Sequence, residues 1–190
     1  MRLRRVVKIV SIVLAVALMS VTAFGQRDSR AERRKKREKA LACWKRGDAR
    51  RKRKKYEDAK ADYEKSAELW QSLGNRNWAN VTRQMVDLCE KMPKLDLKKL
   101  KDGDYQGTAR GHSADISVAV RLKGGRIHRF AVTGNRESRP LKSMEILGAL
   151  VRRKQSPSVD AVSGATVTSY GVMAAALRAL EKAKPDDAEE

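Results

Sequence analysis

The hydrophobic pattern changes its period near residue 100, and that change limits the possible folds more than any other feature of the chain. Upstream, Tyr56, Ala59, Tyr63, Ala67 and Trp70 recur at steps of three and four. This spacing predicts an amphipathic helix of about four turns. Ala40, Leu41 and Trp44 begin an earlier helix, and Gly74-Asn75 marks a stop. Trp78, Val81, Met85, Leu88 and Met92 share one face of a further helix over about 76–91, which Pro93 ends. Downstream the step becomes two. Gly103 to Ala109 reads as a strand, and Ile116, Val118, Val120 and Leu122 alternate strictly. Gly124-Gly125 supplies a hairpin turn, with Ile127, Phe130 and Val132 on its far side. Helices are then predicted from Leu141 to Arg153 and from about Thr166 to Ala183. The expected class is α+β: a small antiparallel sheet with helices, preceded by a three-helix region.

The predicted division is 1–25 as a signal peptide or N-terminal anchor, 26–39 as a charged, disordered stretch, and 40–93 as the helical region. A linker follows at 94–101, then the α+β unit at 102–183 and a tail at 184–190. The first segment opens on MRLRR, carries an apolar run from Ile9 to Val21, and ends on Ala23-Phe24-Gly25. Basic start, short apolar centre and small residues at the cleavage positions are the pattern of an export signal. Uncleaved, residues 6–25 could anchor the chain in a membrane. Both outcomes place the rest of the chain outside the cytoplasm.

Charge is concentrated rather than spread. The formal net charge is +20, and Arg27 to Lys55 alone holds 16 basic and 4 acidic residues. Such a run suits an anionic partner. For an exported chain that partner is anionic lipid or cell wall, not nucleic acid, each cation near a membrane contributing on the order of 1 kcal/mol. The alternative reading is a solvated helix face. Two cysteines, Cys43 and Cys89, are expected at opposite ends of parallel helices, which favours two small buried hydrophobes over a disulfide. No His, Cys or carboxylate cluster has metal-ligand spacing, and no Ser-His-Asp pattern points to hydrolysis.

The segment KKYEDAKADYEKSAEL resembles the second half of a tetratricopeptide repeat, with Tyr56, Ala59, Tyr63 and Ser66 at its aromatic and small positions and Gly47 at its glycine. The resemblance implies a protein-docking surface; a plain three-helix hairpin fits the same residues. A lone repeat buries its own face poorly.

Chemistry concentrates in DAVSGATVTS, Asp160 to Ser169. Ser163, Gly164 and Ala165 are small and allow close approach to the backbone. Thr166 opens a helix whose first N–H groups lack partners and carry partial positive charge, a favourable place for phosphate. The hydroxyls of Ser163, Thr166, Thr168 and Ser169 add donors. No Lys or Arg occurs here before Arg178. The same residues also read as ordinary helix capping by Ser163 or Thr166.

Asp160, Ser163, Gly164, Ala165 and Thr166 match, without departure, the signature of the FMN-binding domain family found in flavin-carrying subunits of Nqr and Rnf complexes. The upstream DGDYQGTARGHSADISVAVRLKGGRI is similar to that family's opening strands. The resemblance covers about residues 102–182. It implies FMN bound covalently through a phosphoester to Thr166, attached by a flavin transferase of the ApbE type that recognises Asp160. Ser163, Gly164, Ala165, Thr168 and Ser169 would complete the cofactor site. It further implies an electron carrier rather than a stand-alone enzyme, with a membrane or extracytoplasmic redox partner. Glu137 and Pro140 fall where the family places a loop near the flavin. His112 reads as a solvated loop residue or a tuner of flavin protonation, and His128 as structural. The alternative function is a non-redox binding module whose helices dock to a partner protein.

Overall fold

A computed structural model describes residues 30–134 and 141–184. Helix α1 spans 30–52, followed by α2 (Tyr56–Ser72) and α3 (Arg76–Lys91). Two short 3-10 turns, Met92–Lys94 and Leu97–Lys99, lead into β1 (Gly103–Arg110), β2 (Asp115–Lys123) and β3 (Arg126–Gly134). Helices α4 (Leu141–Lys154) and α5 (Thr166–Glu181) complete the order. The α+β class and the antiparallel sheet, of order β1-β2-β3, are those expected.

Residues 30–39, expected to be disordered, are helical and exposed. The physical reason is continuity. The helix is anchored from Ala40 onward, so extending it needs no new nucleus. Two exposed i,i+4 pairs, Glu32–Lys36 at 3.0 Å and Arg34–Glu38 at 2.9 Å, each add a few tenths of a kcal/mol. The α1–α2 pair is tied by Asp62, 5% exposed, which accepts from Arg46 Nε at 2.8 Å and Arg50 Nη1 at 2.9 Å.

The chain turns away from α2 at Gly74, whose φ of +74° suits a residue without a side chain. Asn75 then caps α3, its side chain accepting from Trp78 N–H. Pro93 closes α3 within the first 3-10 turn. Residues 94–101 do more than link. Leu100 is buried, and Lys101 N–H donates to Ala183 C=O at 2.8 Å, pinning the segment to the end of α5.

Helix α5 organises the molecule. Every residue from Val167 to Leu180 except Arg178 is buried. A helix apolar all round must be covered on all sides. Strands β1 and β2 cover one side and α3 another, while α4 packs on β3. The two predicted units therefore share one core: Ala59, Tyr63, Val81, Met85, Leu88 and Cys89 belong to the same cluster as Ile116, Val118, Leu122, Tyr170, Met173 and Leu177. Contact between α5 and the sheet is tightest at Gly107, where a Cβ would overlap Ala175 C=O and stand 2.6 Å from Ala179 N.

A glutamine meets one residue on each sheet edge. On β1, Gln84 from α3 accepts from Arg110 N–H and donates to Arg110 C=O, each at 2.8 Å. On β3, Gln155 accepts from Ile127 N–H at 2.7 Å and donates to Ile127 C=O at 3.1 Å. A primary amide offers the same donor–acceptor pair as a neighbouring strand, so each contact occupies edge groups otherwise open to pairing.

Both cysteines are free and buried. Among the described residues, no helix is long and apolar enough to cross a membrane. The expected export segment 1–25 and the tail from residue 185 lie outside the described residues.

Candidate functional site

The site grows from the loop between α4 and α5. Helix α4 ends on Arg152, Arg153 and Lys154, and Gln155 turns the chain out at φ +50°. Ser158 N–H donates to Ser156 Oγ at 3.1 Å, and Val159, 1% exposed, plugs the loop into the core. Asp160 follows, its carboxylate 2.7 Å from Lys154 Nζ and 3.9 Å from Lys52 Nζ. The hydrogen bond from Lys154 outweighs partial burial and holds the Asp160 carboxyl below the usual carboxylate range.

Between Asp160 and α5 the chain makes a turn closed by Ala165 N–H on Val162 C=O at 3.0 Å. Gly164 sits at its apex with φ +75°, exposed, with nothing within 4 Å of where a Cβ would stand. The left-handed conformation favours glycine, and the open space leaves the backbone approachable. Ala165 is the N-cap of α5 and has no side chain to offer the helix; no side-chain cap is present. The first turn of α5 thus begins without a side-chain acceptor of its own.

The four hydroxyls divide cleanly. Ser169 is fully buried; its Oγ accepts from Val162 N–H at 3.0 Å and donates to Ala165 C=O at 2.9 Å. It stitches the loop to the helix from inside the fold. Thr168 is 1% exposed, also inside the fold. Ser163 is exposed. Thr166, partly exposed at the first helical position, has no hydrogen-bond partner among the described residues. Thr168 and Ser169, expected at the cofactor, are placed in the core, because a helix covered on all sides turns its second and third hydroxyls inward.

Ser163, Gly164, Ala165 and Thr166 are therefore brought together at an open, uncapped helix start. The Thr166 oxygen, without a partner among the described residues, the open Gly164 backbone and a helix start that lacks a side-chain cap fit a phosphate ester, both by donor type and by partial charge. Arg178 is engaged elsewhere, donating to Thr108 C=O at 2.7 Å.

Of the remaining candidates, His112 is exposed; its C=O accepts from Asn77 Nδ2 at 2.9 Å and its Nδ1 is 3.1 Å from Ser113 Oγ. The turn carrying it passes α5 at Gly171. His128 is exposed on β3. Glu137 and Pro140 lie outside the described residues. No group of three or more His, Cys, Asp or Glu could hold a metal ion among the described residues.

Sequence reasoning missed the residues beneath the loop. Arg51 of α1, 2% exposed, donates from Nη1 to Val159 C=O at 2.9 Å and to Ser158 Oγ at 3.0 Å, and from Nη2 to Asp48 Oδ1 at 2.7 Å. A signal was present: Asp48 is the single acidic residue between Glu38 and Glu57, three positions before Arg51. Beside this contact lies a cleft of about 570 Å³, lined among others by Lys52, Lys54, Tyr56, Lys154, Ser158 and Asp160.

Residues 111–181 match the family model described as the FMN-binding domain. A stretch of 97 residues is 34% identical to an uncharacterized protein of Treponema pallidum (strain Nichols), covering 50% of this chain and 27% of that protein. The chain thus spans about a quarter of the length of that relative.

Proposed function

Since residues 111–181 of this chain are an FMN-binding domain, with FMN as its cofactor, we propose that the protein is an exported electron carrier holding FMN covalently at Thr166. The observation that carries this reading is the Thr166 hydroxyl. It stands unpartnered at the uncapped start of α5, beside the open backbone of Gly164. Bound FMN supplies a centre that takes up and returns one or two electrons.

The residues of the chain do the rest. Thr166 Oγ1 forms the bond to phosphorus, displacing the nucleotide half of a flavin dinucleotide; the anhydride P–O bond breaks, and the hydroxyl proton leaves with the nucleotide or solvent. A transferase of the ApbE type catalyses that exchange and reads Asp160, whose carboxylate is kept ionised and oriented by Lys154. The N–H groups of the first turn of α5 stabilise the diester charge, a contribution of about 0.3–1 kcal/mol at an exposed site. Ser163 and Gly164 keep the approach clear.

The basic helix α1 supports the reading of location and partners. Its exposed 30–39 stretch presents Arg30, Arg33, Arg34, Lys35, Lys36, Arg37 and Lys39 against only two acidic residues. That surface suits an anionic membrane or cell wall, and it would keep the domain near a membrane or extracytoplasmic redox partner.

Intact mass spectrometry of protein produced with the transferase tests the proposal. The expected result is one added FMN on the wild type and none on Thr166→Val, with both folded. A colourless, unmodified wild type from a host with an active transferase would leave only the reading of a non-redox binding module.

A further inference from the structure

Asp48, Arg51 and Lys52 occupy positions i, i+3 and i+4 of α1 and so share one face. That face points at the segment leading into Thr166. Arg51 holds Ser158 and Val159 through Nη1 and Asp48 through Nη2. Asp48 Oδ1 in turn accepts from Tyr170 OH at 2.8 Å, and Tyr170 stands four residues beyond Thr166, one turn along α5. The Arg51 guanidinium also lies 5.9 Å from the Tyr170 ring centre. Lys52 Nζ is 3.2 Å from Asp48 and 3.9 Å from Asp160.

We propose that the Asp48–Arg51 pair of the helical region is a positioning device for the flavin-attachment site. It fixes loop 158–160 and the first turn of α5 relative to each other, so that Asp160 and Thr166 are presented together to the transferase. The inference rests on the reading of Thr166 as the attachment point.

Three observations carry it. The loop's own bonds are short-range, Ser158 N–H to Ser156 and Val159 N–H to Pro157, so they shape it without placing it. Arg51 adds hydrogen bonds to a distant element, across 107 and 108 positions. And a buried charge pair is poor value as a stabiliser, since apolar residues of equal volume often serve as well. What a guanidinium offers beyond stability is a planar fork that fixes three acceptors in one geometry, which an ammonium cannot do.

The test measures FMN incorporation by purified ApbE-type transferase with flavin adenine dinucleotide, varying the concentration of the acceptor protein. Arg51→Lys and Ser158→Ala are compared with Val81→Ala, a core variant of α3 that lowers stability without touching the loop. Loosening the loop leaves the competent arrangement populated only part of the time, which raises KM and spares kcat; an increase of about fivefold is expected for Arg51→Lys, less for Ser158→Ala. Val81→Ala should lower the melting temperature and leave KM unchanged. In parallel, hydrogen exchange of the FMN-free proteins should show faster exchange at 158–166 in Arg51→Lys and Ser158→Ala, with α3 unaffected.

Unchanged KM and unchanged exchange in the two folded loop variants would overturn the proposal, as would an equal KM rise in Val81→Ala. A wild type that takes up no FMN would strike the reading of Thr166 instead, and the exchange data would still decide whether Arg51 places the loop.

Discussion

Tyr170 donates its hydroxyl proton to the Asp48 carboxylate at 2.8 Å, across 122 positions of sequence. Asp48 belongs to the strongly basic run from Arg27 to Lys55, and Tyr170 to the far less charged stretch that follows residue 102. Their bond borders the shared core, with Tyr63 OH 3.4 Å from the same oxygen and Trp44 packed on the Tyr170 ring at 5.7 Å. The domain that matches the FMN-binding family thus completes its interior with side chains supplied from upstream of its boundary.

This bond gives the protein an acid-sensitive element. Burial alone would raise the Asp48 pKa, but the Arg51 charge and the hydrogen bonds from Arg51 and Tyr170 hold it below its ordinary 3.8. A carboxyl depressed on folding contributes stability in full above the unfolded value and loses it as pH falls through the folded one. Wild-type melting temperature should therefore drop more steeply below about pH 4 than that of Asp48→Asn. At pH 7 the same variant should cost about 3–5 kcal/mol, because Arg51 stays buried without its counter-ion. Tyr170→Phe, which removes only the donor, should cost about 1–3 kcal/mol. Parallel acid profiles for wild type and Asp48→Asn would refute this.

The hydroxyls of the loop before α5 and of its first turn should separate in a denaturation experiment. Ser169→Ala leaves the Val162 N–H without its acceptor and should cost about 1–3 kcal/mol in urea unfolding. Ser163→Ala removes an exposed group and should stay within about 0.5 kcal/mol of wild type. Equal losses would mean that the two serines do the same job.

Gly107→Ala should be among the most damaging single changes. The added methyl would enter space held by the Ala175 carbonyl, which is backbone and cannot rotate away. Displacing α5 from β1 should cost about 3 kcal/mol or more, visible as a loss of soluble protein or a much lower melting temperature. Wild-type stability would show that the helix is less closely seated than the structure has it.

Neither cysteine should react while the protein is folded. Burial pushes the Cys89 thiol up to about 12, and Cys43 is 3% exposed. Iodoacetamide at pH 8 should label no thiol in native protein and two in urea, and a reductant should leave the melting temperature unchanged. Native labelling, or stabilisation by oxidation, would contradict free buried thiols.

The segment 102–183 should not behave as a self-sufficient domain. Removing α1 to α3 exposes the side of α5 that α3 covers and strips Tyr170 of its acceptor. The longer chain should melt in a single calorimetric transition, whereas 102–183 alone should melt at lower temperature or aggregate. Two separate transitions in the longer chain would show that the halves are independent.

Much of this was legible in the residues themselves. The period of three to four before residue 93, the period of two after 103 and the Gly124-Gly125 turn define the helices and the hairpin through local sterics and burial. The run Asp160 to Thr166 marks the site, because a glycine with positive φ before an uncapped helix is a local arrangement. What the residues did not reveal was long-range. Nothing local distinguishes Ser169, bonded inward, from Thr166, left open; that depended on which side of α5 meets the core. Nothing local shows that Arg51 in a solvated basic run would be buried beneath Val159, or that Gln84 and Gln155 would occupy the sheet edges. Sequence periodicity reports which face of an element is apolar, and it determined the elements, while the residue types of Asp160 to Thr166 marked the loop before α5. Which faces meet is settled by packing among elements far apart in the chain, and tertiary structure alone decided that the helical region and the FMN-binding domain share one interior.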